Sequence, residues 1–533
     1  MANRIAVIGA GPSGLCALKS CLEEHLEPVC YEKTSYIGGL WYYTSNVIEG
    51  RGCVMKSTVI NTSKETMVYS DFPPPADCPV YMHNTKLVEY LKAYASHFDL
   101  EERIRFEHEV LGVVQAEDFA KTGQWVLKVT DRKAQTTSTE VFDGVLVCTG
   151  HHADKRIPVF DGIERFRGKI VHTRDYRTHV GYEDKKVLVV GIGNSGGDVA
   201  VELSRIAKPV LLSTRRGSWV MNRIEKNGLP IDILLHSRVT DLFKRLTPRS
   251  LLNWAVEARL NARFDHELYG LKPEHRFDSQ HPMVNDELPN RIASGTITIK
   301  PDVKKIGPTS VEFVDGSLED DIDAIILATG YNFGFPFIDH PALEVKDNVV
   351  NLYKYVFPPD IQPSTLAVIG CVQPLGAVMP ISEIQCRWAV RVFKGLSSLP
   401  SSDAMWTDIR NKQRDLSERY VKSRRHTIQV EYIEIMDDIG SKIGSKPDLG
   451  KLFWKDPRLA WHCFFGPYVP YQYRLVGPHP WNGAREAIMT VWDRTLAGIS
   501  PKSKPNDSMP LWLYAILMAV LAVVIKWLIF VLF

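Results

Sequence analysis

Short unbroken apolar runs, each closed by a glycine turn, dominate the hydrophobic pattern of this chain. Ile5-Ala6-Val7-Ile8 runs into Gly9, Val187-Leu188-Val189-Val190 into Gly191, Val145-Leu146-Val147-Cys148 into Thr149-Gly150, and Ile325-Ile326-Leu327-Ala328 into Thr329-Gly330. Runs without polar alternation belong to strands covered on both faces, as in parallel sheets. Pro28-Val29-Cys30-Tyr31 and Pro209-Val210-Leu211-Leu212-Ser213 read as further strands, residues 15–19, 87–98 and 199–206 as helices, and 104–129 and 140–148 as alternating strands. Val59-Ile60-Asn61-Thr62-Ser63-Lys64 reads as a short strand that delivers the Asn61 amide into a polar turn. Strands alternating with helices predict an α/β fold with parallel sheets.

The glycine turns then repeat. Gly9-Ala10-Gly11-Pro12-Ser13-Gly14 is a G-x-G-x-x-G sequence between a strand and a helix, with Glu32 at the end of the next strand. The first glycine permits the tight turn, the second lets backbone approach a pyrophosphate, and the third lets helix and strand pack closely. Phosphates would sit on free N–H groups at the helix start, and Glu32 would accept ribose hydroxyls. Gly191-Ile192-Gly193-Asn194-Ser195-Gly196-Gly197-Asp198 repeats the plan 182 residues later, and Thr214 follows Glu32 by the same 182. Thr329 follows Thr149 by 180. Matched spacing predicts two dinucleotide-binding, Rossmann-like units in tandem. The expected domains are 1–154 with 331–445 for the first unit, which is discontinuous, and 155–330 for the second, carrying an insertion at 218–291. A capping region and linker over 446–509 and a membrane-anchoring helix over 510–533 complete the layout.

The units differ at the ribose position. A carboxylate such as Glu32 repels a 2′-phosphate, whereas Thr214 followed by Arg215 and Arg216 can bind one. The second unit is therefore expected to take NADPH, and the first an adenine dinucleotide without that phosphate, most simply FAD.

Composition adds limits. The 533 residues are 45% hydrophobic and 24% charged, in the range of globular domains, and a net charge of +2 supplies no global field for nucleic acid. Nine cysteines without paired spacing in so long a chain read as reduced thiols facing the cytosol, and neither Cys-x-x-Cys nor His-Glu-x-x-His is present to suggest a metal. Residues 511–525 and 527–533 are apolar around Lys526, long enough together for a helix of about 34 Å that anchors in a membrane. A homo-oligomer is compatible with the sequence.

With two dinucleotides and no metal, the electrons leaving the flavin need an acceptor. Cys16 and Cys21 lie on different faces of one helix and cannot form a redox disulfide, which favours O2. Gly193-Asn194-Ser195-Gly196-Gly197 also fits the hydrolase elbow G-x-S-x-G, so a serine hydrolase using Ser195 is the alternative of a different class.

The chain resembles the flavin-containing monooxygenases of the vertebrate microsomal type. The resemblance rests on the first glycine turn, Glu32, Gly38-Gly39-Leu40-Trp41, Asn61-Thr62-Ser63-Lys64, Phe166-x-Gly168-x-x-x-His172-x-x-x-Tyr176, the turn at 191–198 and Ala328-Thr329-Gly330-Tyr331. It implies that NADPH reduces FAD, that O2 adds to the reduced flavin at C4a, and that NADP⁺ stays bound to shield the oxygenated flavin from water. The oxygen then passes to a soft nucleophile, a sulfide or amine of a small lipophilic molecule. Baeyer–Villiger oxidation of ketones and peroxide release are the alternatives within the same chemistry, and the wording at 194–198 and 214–217 leans toward the ketone-oxidising subgroup. The resemblance also implies the endoplasmic reticulum membrane, and an Asn61 amide that helps hold the oxygenated flavin as the catalytic group. Candidate cofactor contacts are Gly9, Ala10, Gly11, Pro12, Ser13, Gly14, Glu32, Gly39, Leu40, Trp41, Ile60, Asn61 and Thr62. Gly191, Gly193, Asn194, Ser195, Gly196, Gly197, Asp198, Thr214, Arg215, Thr329 and Gln373 complete the set. His172 reads as a hydrogen-bonded hinge residue. Residues 422–426 read as a solvated charged face, and the basic, apolar insertion as a membrane-facing surface, a substrate channel or ordinary packed helices.

Overall fold

The computed structural model describes residues 3–499. Its sheet strands, in chain order, are β1 (Arg4–Ile8), β2 (Glu27–Glu32), β3 (Ile104–Phe106), β4 (Gly144–Val147), β5 (Lys169–His172), β6 (Val187–Val190), β7 (Val210–Ser213), β8 (Ile297–Lys300), β9 (Ala324–Leu327) and β10 (Leu366–Val368). Two five-stranded sheets result, ordered β10-β4-β1-β2-β3 and β8-β7-β6-β9-β5. Every neighbouring pair within them is parallel. The central strands β4, β6, β7 and β9 are buried at every position, as their unbroken apolar runs require.

The sheets have the same plan. Helix α1 (Pro12–Glu23) follows β1, and helix α2 (Asn194–Leu203) follows β6. Each unit also carries a three-stranded antiparallel sheet before its fourth strand, at His108–Gln115, Trp125–Asp131 and Thr136–Phe142 in the first unit. Its counterpart in the second is Val303–Ile306, Val311–Phe313 and Leu318–Glu319. They differ at the outer edge: β5 precedes the other four strands of its sheet in the chain, whereas β10 arrives only after the second unit is complete. The two crossings between sheets, Asp154–Lys155 and Tyr331–Asn332, pair with each other antiparallel.

The insertion is closed at its base by a parallel pair, Val220–Met221 with Met283–Val284, and holds the helices Ile231–Leu235, Arg238–Leu246 and Arg249–Asn261. The C-terminal segment packs back onto the first unit. Fully buried Arg474 binds Glu23 at 2.8 Å, Asp71 at 2.8 Å and Glu383 at 3.0 Å. Burial opposes ionisation of Glu23, yet Arg474 and Lys19 hold its carboxyl down to about 2.

Three expectations change. Residues 59–64 form no strand: Val59 makes one isolated bridge to His83, and a helical turn starts at Lys64, whose buried ammonium donates to three backbone carbonyls. Local pattern cannot show this, because those acceptors come from residues 75–78. The second helix begins at Asn194 rather than 199, which places Asn194, Ser195, Gly196 and Gly197 in its first turn. Residues 422–426 are not simply a solvated face, since Arg425 and His426 help to wall the central cavity. Among the described residues no helix is long and apolar enough to cross a membrane, and the anchor expected at 510–533 lies outside them.

Candidate active site

Steric exclusion builds both glycine turns. Gly9 has φ +101° and Gly191 φ +106°, conformations open to glycine, and a Cβ on them would meet Cys148 O at 2.8 Å and Ala328 O at 2.6 Å. A Cβ on Gly14 would lie 1.8 Å from Gly9 O, and one on Gly196 2.0 Å from Gly191 O. Each helix therefore starts hard against the end of its strand. Neither has a side-chain cap or an acidic residue in its first turn, which leaves backbone N–H groups and the positive end of the dipole free for phosphate.

The first turn is braced by its own unit. Glu32 Oε2 accepts from Ala10 N at 2.8 Å, and Oε1 accepts from Thr34 N at 2.8 Å and Thr34 Oγ1 at 2.7 Å. A carboxylate has about four lone-pair sites, so acceptor capacity remains for a ribose hydroxyl. Gly38 N donates to Ala10 O at 3.0 Å, and a Cβ on Gly39 would sit 3.0 Å from Gly11 Cα. Gly11 thus serves backbone packing as well as ligand approach. Ser13 Oγ lies 3.1 Å from Ser382 Oγ on the returning chain. Uncapped amides, a carboxylate at the strand end and a cradle that any Cβ would fill suit an adenine dinucleotide.

The second turn is pinned by the insertion. Asn194 Oδ1 accepts from Val284 N at 2.8 Å, Asp198 Oδ1 from Asn285 Nδ2 at 2.9 Å, and a Cβ on Gly197 would strike Met283 Sδ at 2.5 Å. Burial pushes the Asp198 carboxyl up to about 6. Thr214 Oγ1 accepts from Gly217 N at 3.0 Å, while exposed Arg215 and Arg216 have no carboxylate partner among the described residues. Thr329 Oγ1 donates to Arg156 O at 2.5 Å. Ser195 is exposed in the first helical turn with no histidine bonded to it among the described residues, so the hydrolase elbow lacks its base.

A cavity of about 1160 Å³ joins the units. Its walls include Leu40, Trp41, Ile60, Asn61 and Thr62 from the first unit, and Gly191, Gly193, Asn194, Ser195, Gly196, Asp198, Thr214, Arg215 and Thr329 from the second, with Gln373 from the returning chain. The turn from Gly9 to Gly14, Glu32, Gly39 and Gly197 lie behind those walls rather than in them.

Two residues invisible to sequence reasoning hold the stretch around Asn61: Arg223 bonds to the lining residues Ile60 and Asn61, and Asp232 lines the cavity itself. Arg223, from the insertion, donates Nη2 to Asn61 Oδ1 at 2.7 Å and Nε to Ile60 O at 3.2 Å, while Asp286 holds its other nitrogen at 2.9 Å. A guanidinium only donates, so the Asn61 oxygen faces it and the Asn61 NH2 is left as a donor. Buried Asp232 accepts from Ser63 N at 2.8 Å, Ser63 Oγ at 2.7 Å and Thr66 Oγ1 at 2.6 Å through Oδ2, and its Oδ1 has no hydrogen-bond partner among the described residues. Both residues sit in an insertion whose local pattern carries no motif.

His172 lies on β5 beside the crossings. Its Nδ1 accepts from Arg174 N at 3.1 Å and its Nε2 pairs with Gly330 O at 3.0 Å, which fixes the neutral Nε2–H tautomer. Burial pushes its pKa to about 4. It is a structural link between edge strand and crossing. No cysteine pair serves the cavity: all nine cysteines are free, and the Cys16 and Cys386 sulfurs stand 3.7 Å apart in the core, where burial pushes the Cys386 thiol up.

Two dinucleotide turns with opposite ribose chemistry, the second lining a cavity and the first outside its lining, with no redox disulfide, are those of a two-cofactor oxidoreductase. Among known families, that described as flavin-binding monooxygenase-like matches residues 2–533. Flavin-containing monooxygenase 5 of Cavia porcellus is 52% identical over 494 residues, covering 92% of each chain, and that of Homo sapiens 51% over 494 residues with the same coverage. Dimethylaniline monooxygenase [N-oxide-forming] 2 of Mus musculus is 46% identical over 529 residues, covering 98% of each chain. Among solved structures, S-allyl-L-cysteine S-oxygenase from Allium sativum has a TM-score of 0.63 at 23% identity, covering 86% of this chain and 95% of its own. Cyclohexanone monooxygenase from Rhodococcus sp. Phi1 bound to NADP⁺ has 0.60 at 16% identity, covering 83% and 98%. These two share the fold. The chain belongs to the flavin-binding monooxygenase-like family. It is a monooxygenase enzyme that uses FAD and NADPH.

Proposed function

We propose that the enzyme uses NADPH and O2 to oxygenate soft nucleophiles, the sulfur or nitrogen of small lipophilic molecules. The observation that carries this reading is the contrast between Glu32, at the strand end beside the first turn, and Thr214 with Arg215 and Arg216, which line the cavity at the second turn, the arginines having no carboxylate partner among the described residues. The N-oxide-forming relative supports nitrogen as one target. Residues 1–154 and 331–445 would hold FAD, 155–330 NADPH, and 446–509 would cap the first unit.

Bound FAD would supply the redox and oxygen-activating chemistry. The chain's part is to bind, orient and exclude water. Glu32 and the α1 amides would hold the adenine ribose and pyrophosphate of FAD, and the α2 amides with Thr214, Arg215 and Arg216 those of NADPH. Arg223 fixes the Asn61 carbonyl, so that the Asn61 NH2 presents a donor at the cavity wall. Leu40, Trp41, Ile60, Phe333 and Leu375 line the same space and keep water from it. The apolar tail at 510–533 would anchor the enzyme in the endoplasmic reticulum membrane with this site facing the cytosol, and removing it should make the protein soluble.

The deciding experiment follows NADPH, O2, peroxide and product with a methimazole-like sulfide, a tertiary amine and an aliphatic ketone. Sulfoxide or N-oxide formed in step with NADPH use supports the proposal. An ester from the ketone alone would move the assignment to Baeyer–Villiger oxidation, and peroxide without organic product would overturn oxygenation.

A further inference from the structure

Arg425 is a cation at the cavity that the roles above leave unexplained. Arg425 lies between helix Ser402–Arg419 and strand Gln429–Val430, on the chain that has returned from the second unit. Its neighbour Arg424 is exposed and ion-paired with Asp347, and Arg419 bonds to Glu431 at 2.5 Å. Arg425 differs from both. Half-buried in the cavity wall, its side chain has no hydrogen bond or ion pair among the described residues. It reaches over the second turn: a Cβ on Gly193 would lie 3.3 Å from Arg425 Nη1 and 3.8 Å from both Cζ and Nη2.

Gly193 is the N-cap of α2, so the guanidinium stands over uncapped amides. Arg156, Arg215 and Arg216 line the same cavity, again without carboxylate partners among the described residues. A half-buried guanidinium beside other cations is held at a cost unless an anion joins it. Thr214, Arg215 and Arg216 follow β7, where the 2′-phosphate is expected, while Arg425 sits at the helix start, where a pyrophosphate belongs.

We propose that Arg425 binds the pyrophosphate of the nicotinamide cofactor from across the cavity, clamping the cofactor between the second turn and the returning chain. This rests on the reading of the second turn as the NADPH site. The clamp acts on a group that NADPH and NADH share, so its loss weakens both equally, whereas loss of Arg215 weakens only the phosphorylated form.

The test is calorimetric titration of NADP⁺ and NAD⁺ into the full-length, FAD-loaded enzyme and its Arg425→Gln, Arg425→Lys and Arg215→Ala variants. Flavin content and thermal midpoint are measured on each. Arg425→Gln should raise both dissociation constants by the same factor, about tenfold for a charge-assisted contact. Arg425→Lys should recover part of that loss, since the charge stays but the fork is gone. Unchanged affinity in Arg425→Gln overturns the proposal. So does a loss confined to NADP⁺, which would place Arg425 at the 2′-phosphate. If Arg425→Gln fails to fold, Arg425→Lys decides, and wild-type affinity for both ligands counts against the clamp. Failure of the underlying reading looks different: Arg215→Ala would then fail to separate NADP⁺ from NAD⁺.

Discussion

The two glycine turns have nearly the same backbone and opposite surroundings. Gly9 and Gly191 differ by 5° in φ, from +101° to +106°, and Gly14 and Gly196 each leave no room for a Cβ against a carbonyl. Around the first turn, Glu32, Gly38 and Ser382 bind or touch it from within its own unit and the returning chain. Around the second, the contacts come from the insertion at Val284 and Asn285, and the cations beyond β7 have no carboxylate partner among the described residues. Sterics fix the shape of a phosphate turn, while its neighbours decide which dinucleotide it takes and how firmly. The braced turn suits a resident flavin, and the turn beside those cations suits a cofactor that comes and goes.

The largest expected effect comes from filling the turns. Gly14→Ala puts a methyl 1.8 Å from Gly9 O and must push α1 off β1, so the protein should purify without yellow colour. Gly196→Ala, with 2.0 Å to Gly191 O, should keep its flavin yet be reduced by NADPH at least ~100-fold more slowly in anaerobic stopped-flow. If both variants lose flavin alike, the division of labour between the turns is broken.

Next is the ribose end. Arg215→Ala should raise KM for NADPH about 10- to 100-fold and leave that for NADH nearly unchanged, because one charge-assisted phosphate contact is worth one or two decades. Steady-state kinetics with both cofactors checks it. Equal effects would mean that Arg215 is an ordinary surface charge.

This asymmetry is also where the sequence is most and least informative. Central strands are legible because burial on both faces leaves an unbroken apolar run, and the glycines because a Cβ has nowhere to go. The matched spacing of Gly9 with Gly191 and Glu32 with Thr214 is enough by itself to reveal the duplication. The outer strand β10 is harder, because its partner β4 lies more than 200 residues earlier and nothing local records that return. Arg223 and Arg425 are harder still. Charged residues in loops read as solvated, and only the tertiary fold brings one to Asn61 and the other over Gly193. The supposed strand at Asn61 fails for a related reason: its amide is positioned by a guanidinium from 162 residues away, not by strand pairing.

A smaller effect probes that guanidinium link. Asn61→Asp keeps an acceptor for Arg223 but removes the NH2 donor at the cavity wall. Flavin reduction by NADPH should persist at near wild-type rate, while the share of NADPH lost to peroxide rises several-fold, to order ten. Normal coupling in an oxygen-electrode and peroxide assay would remove Asn61 from the oxygen half of the reaction.

The smallest effect lies one helical turn further on. Asp198 is matched, at the same 182-residue offset, by Cys16 in the first unit, so only the second helix carries a carboxyl there. Burial raises it to about 6 from an ordinary 3.8, with Asp286 and Glu202 adding to the rise and Arg223 and Asn285 opposing it. A raised carboxyl holds its proton more tightly folded than unfolded. Its ionisation therefore costs nothing below about pH 4, costs more as the pH climbs toward 6, and costs a constant amount above that. Asp198→Asn should remove this slope, gaining about 3 kcal/mol at pH 7.5 and nothing at pH 4 in denaturant titrations. A gain independent of pH would assign the effect to packing instead. The charge persists at a cost because it holds Asn285, and with it the strand of the insertion that pins the second turn and, through Asp286, aims Arg223 at Asn61. Asp198→Asn should accordingly be more stable and less well coupled.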